Sequence, residues 1–216
     1  MKSYLADPKL KREFVKEIKW HQDQDKIIQG TYGKGSNGDF RGCAVGCSVH
    51  SLNRLKNKQY ATDNHAIYET ELGIPEWLAR LEDTIFEGLP TEKAKAWPLR
   101  FSKAIPVGAD LEPVKWQFCA FILSENIERV LTLDIAADLK EQVVNAIRGV
   151  LNLHETAIKT GKWDESAARS ARAAAYAAAD AADAAADAAD AAADAELKTK
   201  LNRWMKNRLK KLEKIT

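Results

Sequence analysis

Two cysteines and a histidine recur at helical spacing directly after a glycine-rich stretch. Cys43, Cys47 and His50 stand at positions i, i+4 and i+7, which puts them on one face of a helix. A thiol in the first turn of a helix gains thiolate character from the helix dipole, and His50 or His65 would act as its general base. Cys43, Cys47, His50 and His65 are therefore the candidate catalytic residues of a thiol-dependent hydrolase.

The same residue types are also metal ligands. Cys43, Cys47 and His50 would converge on one helix face, and His65 with Glu69 adds a second i, i+4 pair. Structural zinc sites usually combine tighter cysteine pairs with a second pair at a set spacing, and that second pair is missing here. We therefore predict no metal ion and no other cofactor. A structural alternative stays open, in which small cysteine, glycine and alanine side chains let this helix pack closely.

The glycine-rich stretch itself offers a third chemistry, the binding of an anion. Gly33, Gly35 and Gly38 match the pattern GxGxxG just before a helix begins, where free N–H groups favour anions. No alternation of strands and helices follows, and the lysine is not placed as in a P-loop. The pattern predicts an anion-accepting pocket lined by Gly33, Lys34, Gly35 and Arg41.

Helical patterns dominate the rest of the chain and predict an all-α fold, a compact helical bundle. Asp7 and Pro8 are suited to the N-cap and the first position of a helix. Residues 111–124 form a strongly apolar stretch, which we expect to be the central buried helix. Further helices are expected over residues 65–72, 74–88, 91–105 and 136–160, with a polar loop over residues 53–64.

The C-terminal part of the sequence has its own composition. Residues 164–196 are alanine-rich with recurring aspartates, which predicts a long helix with one acidic stripe. Residues 197–216 predict a basic amphipathic helix, which would bind nucleic acid or an anionic surface, or pack on the domain. We expect a helical domain over residues 1–160 and an appendage over residues 161–216. The appendage would pack on that domain or on a second copy, which makes a homodimer possible.

Composition and charge narrow the cellular setting. Hydrophobic residues make up 45% of the 216-residue chain, which is enough for a core, and the formal net charge of +2 gives no overall attraction to nucleic acid. Three cysteines do not make a disulfide framework, which favours a reducing compartment. We expect no secretory signal and no membrane span. The predicted location is the cytoplasm.

Three phrases of the sequence resemble an uncharacterised family of bacterial and phage proteins. They are GCAVGCSVHS, HAIYETELGIPEWLARLEDTIFEGLP and WPLRFSKAIPVGADL. The resemblance covers residues 25–125 and the alanine-rich tract, which many members of the family share. It implies no catalytic residues, but it implies a phage or mobile-element setting.

Together these features favour a non-enzymatic protein that interacts with a partner protein or binds a small anion or nucleotide. The resemblance adds a role as a phage-encoded modulator or inhibitor of a host defence system. The alternative is the thiol-dependent hydrolase that uses Cys43 or Cys47.

Overall fold

The computed structural model describes residues 1–35, 37–173 and 176–177. The described residues form helices and isolated β-bridges without a β-strand, so the predicted all-α class is confirmed. Short 3-10 helices cover Ser3–Ala6 and Asn37–Asp39. The α-helices are α1 (Pro8–Asp23), α2 (Ala44–Lys56), α3 (Ile67–Leu72), α4 (Glu76–Gly88), α5 (Thr91–Ala104), α6 (Glu112–Thr132) and α7 (Ala137–Thr160).

The first helix begins as the sequence predicts. Asp7 is the N-cap of α1, and its side chain accepts a hydrogen bond from the Lys9 N–H at 2.7 Å. This bond satisfies one of the backbone donors that a helix start leaves free. Phe14, Ile18 and His21 are buried on one face of the helix. That face positions His21, which belongs to the site described below.

Helix α2 is the helix that the others surround in the first part of the chain. It contacts α1, α3, α4 and α5, and every residue from 44 to 49 is buried. It runs on to Lys56, where Asn57 ends it with a φ of +50°. The predicted loop over residues 53–64 is therefore wrong for residues 53–56. Arg54 and Lys56 lie in the last turn, where positive side chains interact favourably with the helix dipole.

The prediction of a central buried helix over residues 111–124 is wrong. Helix α6 covers this stretch and continues to Thr132, but Phe121 is 58% exposed and Ile122 is 39% exposed. Ile127 is the buried residue of this helix. Apolar content alone does not decide which helix is surrounded. The small residues at the start of α2 allow closer contact on all sides than the large ones of α6 do.

The chain divides into two compact units, Met1–Lys115 and Trp116–Thr216. The buried residues of α1 to α5 form the hydrophobic core of the first unit. In the second unit α7 ends at Thr160, and Gly161 takes the left-handed conformation with a φ of +67°. Gly161 therefore ends this helix at the end of the range that the sequence predicts, 136–160. The predicted domain boundary after residue 160 stays a prediction.

Most of the alanine-rich tract lies outside the described residues. Residues 165–173 and 176–177 are helical. The rest of the predicted Ala/Asp helix, the basic C-terminal helix and the homodimer that the tract would form stay predictions. Among the described helices, none has the length and apolar composition that crossing a bilayer requires.

Candidate functional site

The glycine-rich stretch folds back on itself in a hairpin that Lys34 and Arg41 close. Lys34 and Arg41 form an antiparallel bridge, in which each N–H donates to the other's carbonyl oxygen at 2.9 and 3.0 Å. Gly35 opens the turn between them with a φ of +85°, which favours glycine. An anion bound here would meet the side chains of Lys34 and Arg41, because these two backbone donors are already used. The predicted pocket of Gly33, Lys34, Gly35 and Arg41 stays a prediction.

Two glycines let this stretch lie directly against α2. A Cβ atom at Gly46 would stand 1.7 Å from the carbonyl oxygen of Tyr32, and one at Gly42 would stand 2.7 Å from it. The Cys43 N–H donates to the Thr31 carbonyl oxygen at 2.7 Å. Only glycine allows such an approach of two backbones. The spacing of Gly42 and Gly46 therefore has a packing role.

Cys43 lies where a reactive thiol is predicted, but its surroundings suppress ionisation. It is the N-cap of α2, it is 1% exposed, and its Sγ accepts a hydrogen bond from the Gly46 N–H at 3.4 Å. Burial raises the pKa of the thiol well above its usual range. The Gly46 N–H opposes this shift and the Asp83 carboxylate adds to it. Since the thiolate is the nucleophile, these surroundings disfavour the reactive form of Cys43.

Cys47 is buried one helical turn further on. Its thiol donates to the carbonyl oxygens of Gly42 at 3.3 Å and Lys26 at 3.6 Å. Burial raises its pKa to about 12. Cys43, Cys47 and His50 share a helix face, but each has a different hydrogen-bonding partner.

His65 lies at the start of the α3 region, between two acceptors. Its Nδ1 lies 3.0 Å from the Asp63 carbonyl oxygen, and its Nε2 lies 3.2 Å from Oδ2 of Asp83. The Tyr32 hydroxyl donates to the same Oδ2 at 2.9 Å. Both ring nitrogens of His65 are therefore engaged by groups other than a cysteine.

One group of potential metal ligands occurs within the described part of the chain. The Sγ of Cys43 and the carboxylates of Asp83 and Glu87 lie within 4.8 Å of one another. Both carboxylates already accept hydrogen bonds, Glu87 from the Gly30 N–H at 3.0 Å and Asp83 from the Tyr32 hydroxyl. Sequence spacing missed this group because its members come from two helices. The predicted absence of a metal ion stays a prediction.

His50, the remaining catalytic candidate, pairs with a second histidine. Its Nδ1 lies 2.9 Å from Nε2 of His21, and the Phe40 ring stacks on the His50 imidazole with centroids 4.0 Å apart. The other ring nitrogen of His21, Nδ1, lies 3.0 Å from the Glu17 carbonyl oxygen and 3.2 Å from Oγ of Ser51. Burial lowers the pKa of His21 to about 4, so His21 is neutral near neutral pH.

A partly open cavity of about 280 Å³ adjoins this pair of histidines. Trp20, Gly38, His50 and Arg54 line it. The Arg54 guanidinium lies 4.3 Å from the centroid of the Trp20 ring, and Nζ of Lys26 lies 4.9 Å from the same ring. An indole face next to two cations is a favourable arrangement. We call this cavity and its four lining residues the Trp20 pocket.

Lys26 stands out among the charges beside the Trp20 pocket. It is 8% exposed, and its Nζ donates to the Gly38 carbonyl oxygen. In the described part of the chain no carboxylate oxygen lies within 4.0 Å of this Nζ, whereas Arg54 pairs with Glu17 at 3.4 Å. An unpaired buried charge is costly. Beside the pocket, Lys26 therefore carries a positive charge that the Gly38 carbonyl oxygen and the Trp20 ring stabilise, without a carboxylate partner among the described residues.

Sequence reasoning missed most of this pocket. Trp20 and His21 lie near the end of α1, and His50 and Arg54 form an i, i+4 pair on α2 only because that helix runs into the predicted loop. No local pattern indicated that these two pairs meet. Lys26 lies in the short segment between the helix and the hairpin, where a lysine is usually solvent-exposed.

No protein-family model matches this chain, and no curated protein or solved structure matches it either. The expected relation to bacterial and phage proteins therefore rests on the sequence phrases alone.

Proposed function

We propose that the protein binds a small anionic ligand in the Trp20 pocket and acts as a binding protein rather than an enzyme. The observation that carries this proposal is Lys26, a buried ammonium group without a carboxylate partner in the described residues. An anion in the pocket would offset the cost of burying this charge.

The neighbouring groups support an oxyanion as the ligand. Arg54 lines the pocket and is 42% exposed in its side chain, so its guanidinium keeps donors free beside the Glu17 pair. Charge-assisted hydrogen bonds from arginine and lysine to an oxyanion each contribute about 1.5–3 kcal/mol. The positive charges of Arg54 and Lys26 lower the pKa of His50, after the larger effect of burial. A bound anion would raise the pKa of His50.

The size of the pocket favours a small ligand. Its volume of about 280 Å³ lies just below the range of about 300–1,000 Å³ for typical ligand pockets. A phosphate group fits this volume. A nucleotide would place its phosphate in the pocket and its remaining parts on the surface outside.

A thiol-dependent hydrolase that uses Cys43 or Cys47 is the competing proposal. The position of Cys43 at the N-cap of α2 supports it. The burial of both thiols and the raised pKa of each argue against it. Neither cysteine lines the Trp20 pocket.

The family resemblance supports a cellular role for the bound anion. A phage-encoded modulator of a host defence system would use the site to sense or sequester a small anionic molecule, or would engage a partner protein. Expression in a host carrying such a defence system tests this role. Restored phage growth that is lost in Lys26→Met would support it, and unchanged phage growth would contradict it.

Titration calorimetry with inorganic phosphate tests the binding proposal. We expect binding at millimolar concentration or below, and a loss of at least about tenfold in Lys26→Met, which keeps the aliphatic stem but removes the charge. Lys34→Met is the matched control, since Lys34 is an exposed lysine on the adjacent hairpin and should leave the affinity unchanged.

Two outcomes would contradict the proposal. Absence of binding at millimolar phosphate would remove its basis. Binding that depends on Lys34 and not on Lys26 would move the ligand to the hairpin, where the sequence predicted it.

A further inference from the structure

We infer that His50 makes the Trp20 pocket selective for an oxyanion that carries its own hydrogen, such as hydrogen phosphate, over one that carries none, such as sulfate. This inference rests on the proposed function and names the class of ligand for the same site. It follows from the hydrogen bonds that fix which nitrogen of each histidine carries a hydrogen.

The hydrogen-bond partners of His21 fix which of its ring nitrogens carries a hydrogen. Its Nδ1 lies 3.0 Å from the Glu17 carbonyl oxygen, and a carbonyl oxygen only accepts, so this nitrogen carries the hydrogen. The second neighbour agrees, because the Ser51 hydroxyl donates its own hydrogen to the Cys47 carbonyl oxygen at 2.8 Å. Oγ of Ser51 is then free to accept from Nδ1 of His21. In neutral His21 the other nitrogen, Nε2, is therefore a bare acceptor.

This assignment determines the tautomer of His50. Since Nε2 of His21 accepts, Nδ1 of His50 must donate across the 2.9 Å that separates them. Neutral His50 then carries its hydrogen on Nδ1 and a lone pair on Nε2. No hydrogen bond to this Nε2 occurs in the described part of the chain, and His50 lines the pocket. His50 therefore brings an unpaired acceptor to the lining of the pocket, which it shares with the Arg54 guanidinium.

The charged groups that act on His50 lower its pKa and so favour its neutral form near neutral pH. Lys26 precedes the hairpin and Arg54 lies on α2, and both lower its pKa in addition to the effect of burial. Glu17 on α1 is a nearby carboxylate, and it is paired with Arg54 at 3.4 Å. His21, also on α1, is neutral, and the Phe40 ring covers one face of the imidazole.

The acceptor distinguishes between two similar anions. An oxyanion held by Lys26 and Arg54 presents a further oxygen towards Nε2 of His50. A P–OH group of hydrogen phosphate donates to this lone pair, whereas a sulfate oxygen is repelled by it. Leaving a polar group unpaired beside the anion weakens binding, so we expect phosphate to bind about tenfold more tightly than sulfate.

Titration calorimetry of the full chain near neutral pH, with sodium phosphate and with sodium sulfate, tests the inference. In the native protein phosphate should bind about tenfold more tightly than sulfate. In His50→Gln the preference should fall to within about threefold, because the amide both donates and accepts. Sulfate binding to the native protein should strengthen as the pH is lowered and His50 gains a proton.

The outcomes separate this inference from the proposal on which it rests. Equal affinities in the native protein, or a phosphate preference that His50→Gln retains, would overturn the inference and leave the anion site intact. Failure of both anions to bind would instead refute the proposed function.

The tautomer can be measured without any variant. ¹⁵N NMR distinguishes protonated from bare ring nitrogens, and near neutral pH it should show His50 with a hydrogen on Nδ1 and none on Nε2. The reverse assignment would overturn the inference even if His50→Gln fails to fold.

Discussion

A buried carboxyl group in α4 allows a quantitative test of the fold. Glu82 is 1% exposed, its Oε2 accepts a hydrogen bond from the Tyr68 hydroxyl at 2.7 Å, and its Oε1 has no hydrogen-bond partner among the described residues. Burial raises the pKa of Glu82 from 4.5 to about 8, with Tyr68 opposing the shift and Asp83 adding to it. The folded protein therefore holds Glu82 in its neutral form at pH 7.

Glu82→Gln keeps the shape of the side chain and removes the need for this proton. In the unfolded chain the carboxyl group ionises near pH 4.5. Holding it neutral at pH 7 costs about 3 kcal/mol, at about 1.4 kcal/mol for each pH unit above that value. We expect Glu82→Gln to raise the free energy of unfolding at pH 7 by up to this amount, provided that the amide oxygen keeps the Tyr68 hydrogen bond.

The pH dependence has a definite sign and window. Between pH 4.5 and about 8 the folded state keeps a proton that the unfolded state has lost, so stability falls as the pH rises. His21 and His50 act in the opposite sense, because burial lowers the pKa of each from 6.5. Both histidine effects fade above pH 6.5 and are shared by the native protein and Glu82→Gln, so the difference in stability between these two proteins isolates Glu82. From pH 6.5 to about 8 the native protein should lose about 1.5 kcal/mol relative to Glu82→Gln.

Urea denaturation of the native protein and Glu82→Gln at several pH values across this window measures the effect. Glu76→Gln is the matched control, because Glu76 is a partly exposed glutamate of the same helix that pairs with Arg80, and it should change stability by less than about 1 kcal/mol. The reasoning would be refuted by a native protein whose stability does not fall relative to Glu82→Gln across the window. It would also be refuted by a relative stability that rises with pH, since the charged carboxylate would then be the stabilising form.

Three further predictions concern the thiols, the close packing of α2 and metal content. Cys43 and Cys47 should react with iodoacetamide near neutral pH only as fast as the protein unfolds, which mass spectrometry of quenched samples measures; rapid labelling of either would favour the hydrolase. Gly46→Ala should destabilise the protein by about 1–3 kcal/mol, because the added Cβ would meet the Tyr32 carbonyl oxygen. Gly149→Ala has open space around its Cβ in α7 and should instead stabilise by about 0.5–1 kcal/mol; equal melting temperatures for the two variants would contradict this packing. Elemental analysis of the purified protein should show no stoichiometric zinc, and near one zinc per chain, lost in Cys43→Ser, would contradict that expectation.

The sequence by itself determined the features that depend on neighbours along the chain. Asp7 caps α1, and Gly73 and Gly161 end α3 and α7 in the left-handed conformation, as their residue types predict. Capping bonds and backbone preferences act within one turn of helix. Such signals can therefore be recognised without knowing what the helix packs against. Together with the helical patterns along the chain, they predicted the all-α class.

The position of each helix within the core was decided by the tertiary structure. The large apolar residues of 111–124 predicted a central helix, yet α2 occupies that place in the first unit. Its start is small enough for the Tyr32 backbone to lie against Gly42 and Gly46. Burial depends on the distance of approach between elements, and hydrophobicity counted along one segment contains no information about that distance.

The candidate site was likewise decided by contacts between segments. His50 was a sequence candidate, but its partner His21 lies on α1 and its cationic neighbour Lys26 lies between that helix and the hairpin. The meeting of these residues depends on how α1 packs on α2 and on where the hairpin returns. A buried charge without a carboxylate partner, as at Lys26, exists only once a fold has removed a lysine from water and placed no carboxylate beside it. The sequence could therefore indicate His50 as a candidate. The tertiary structure decided that His21 and Lys26 are its neighbours.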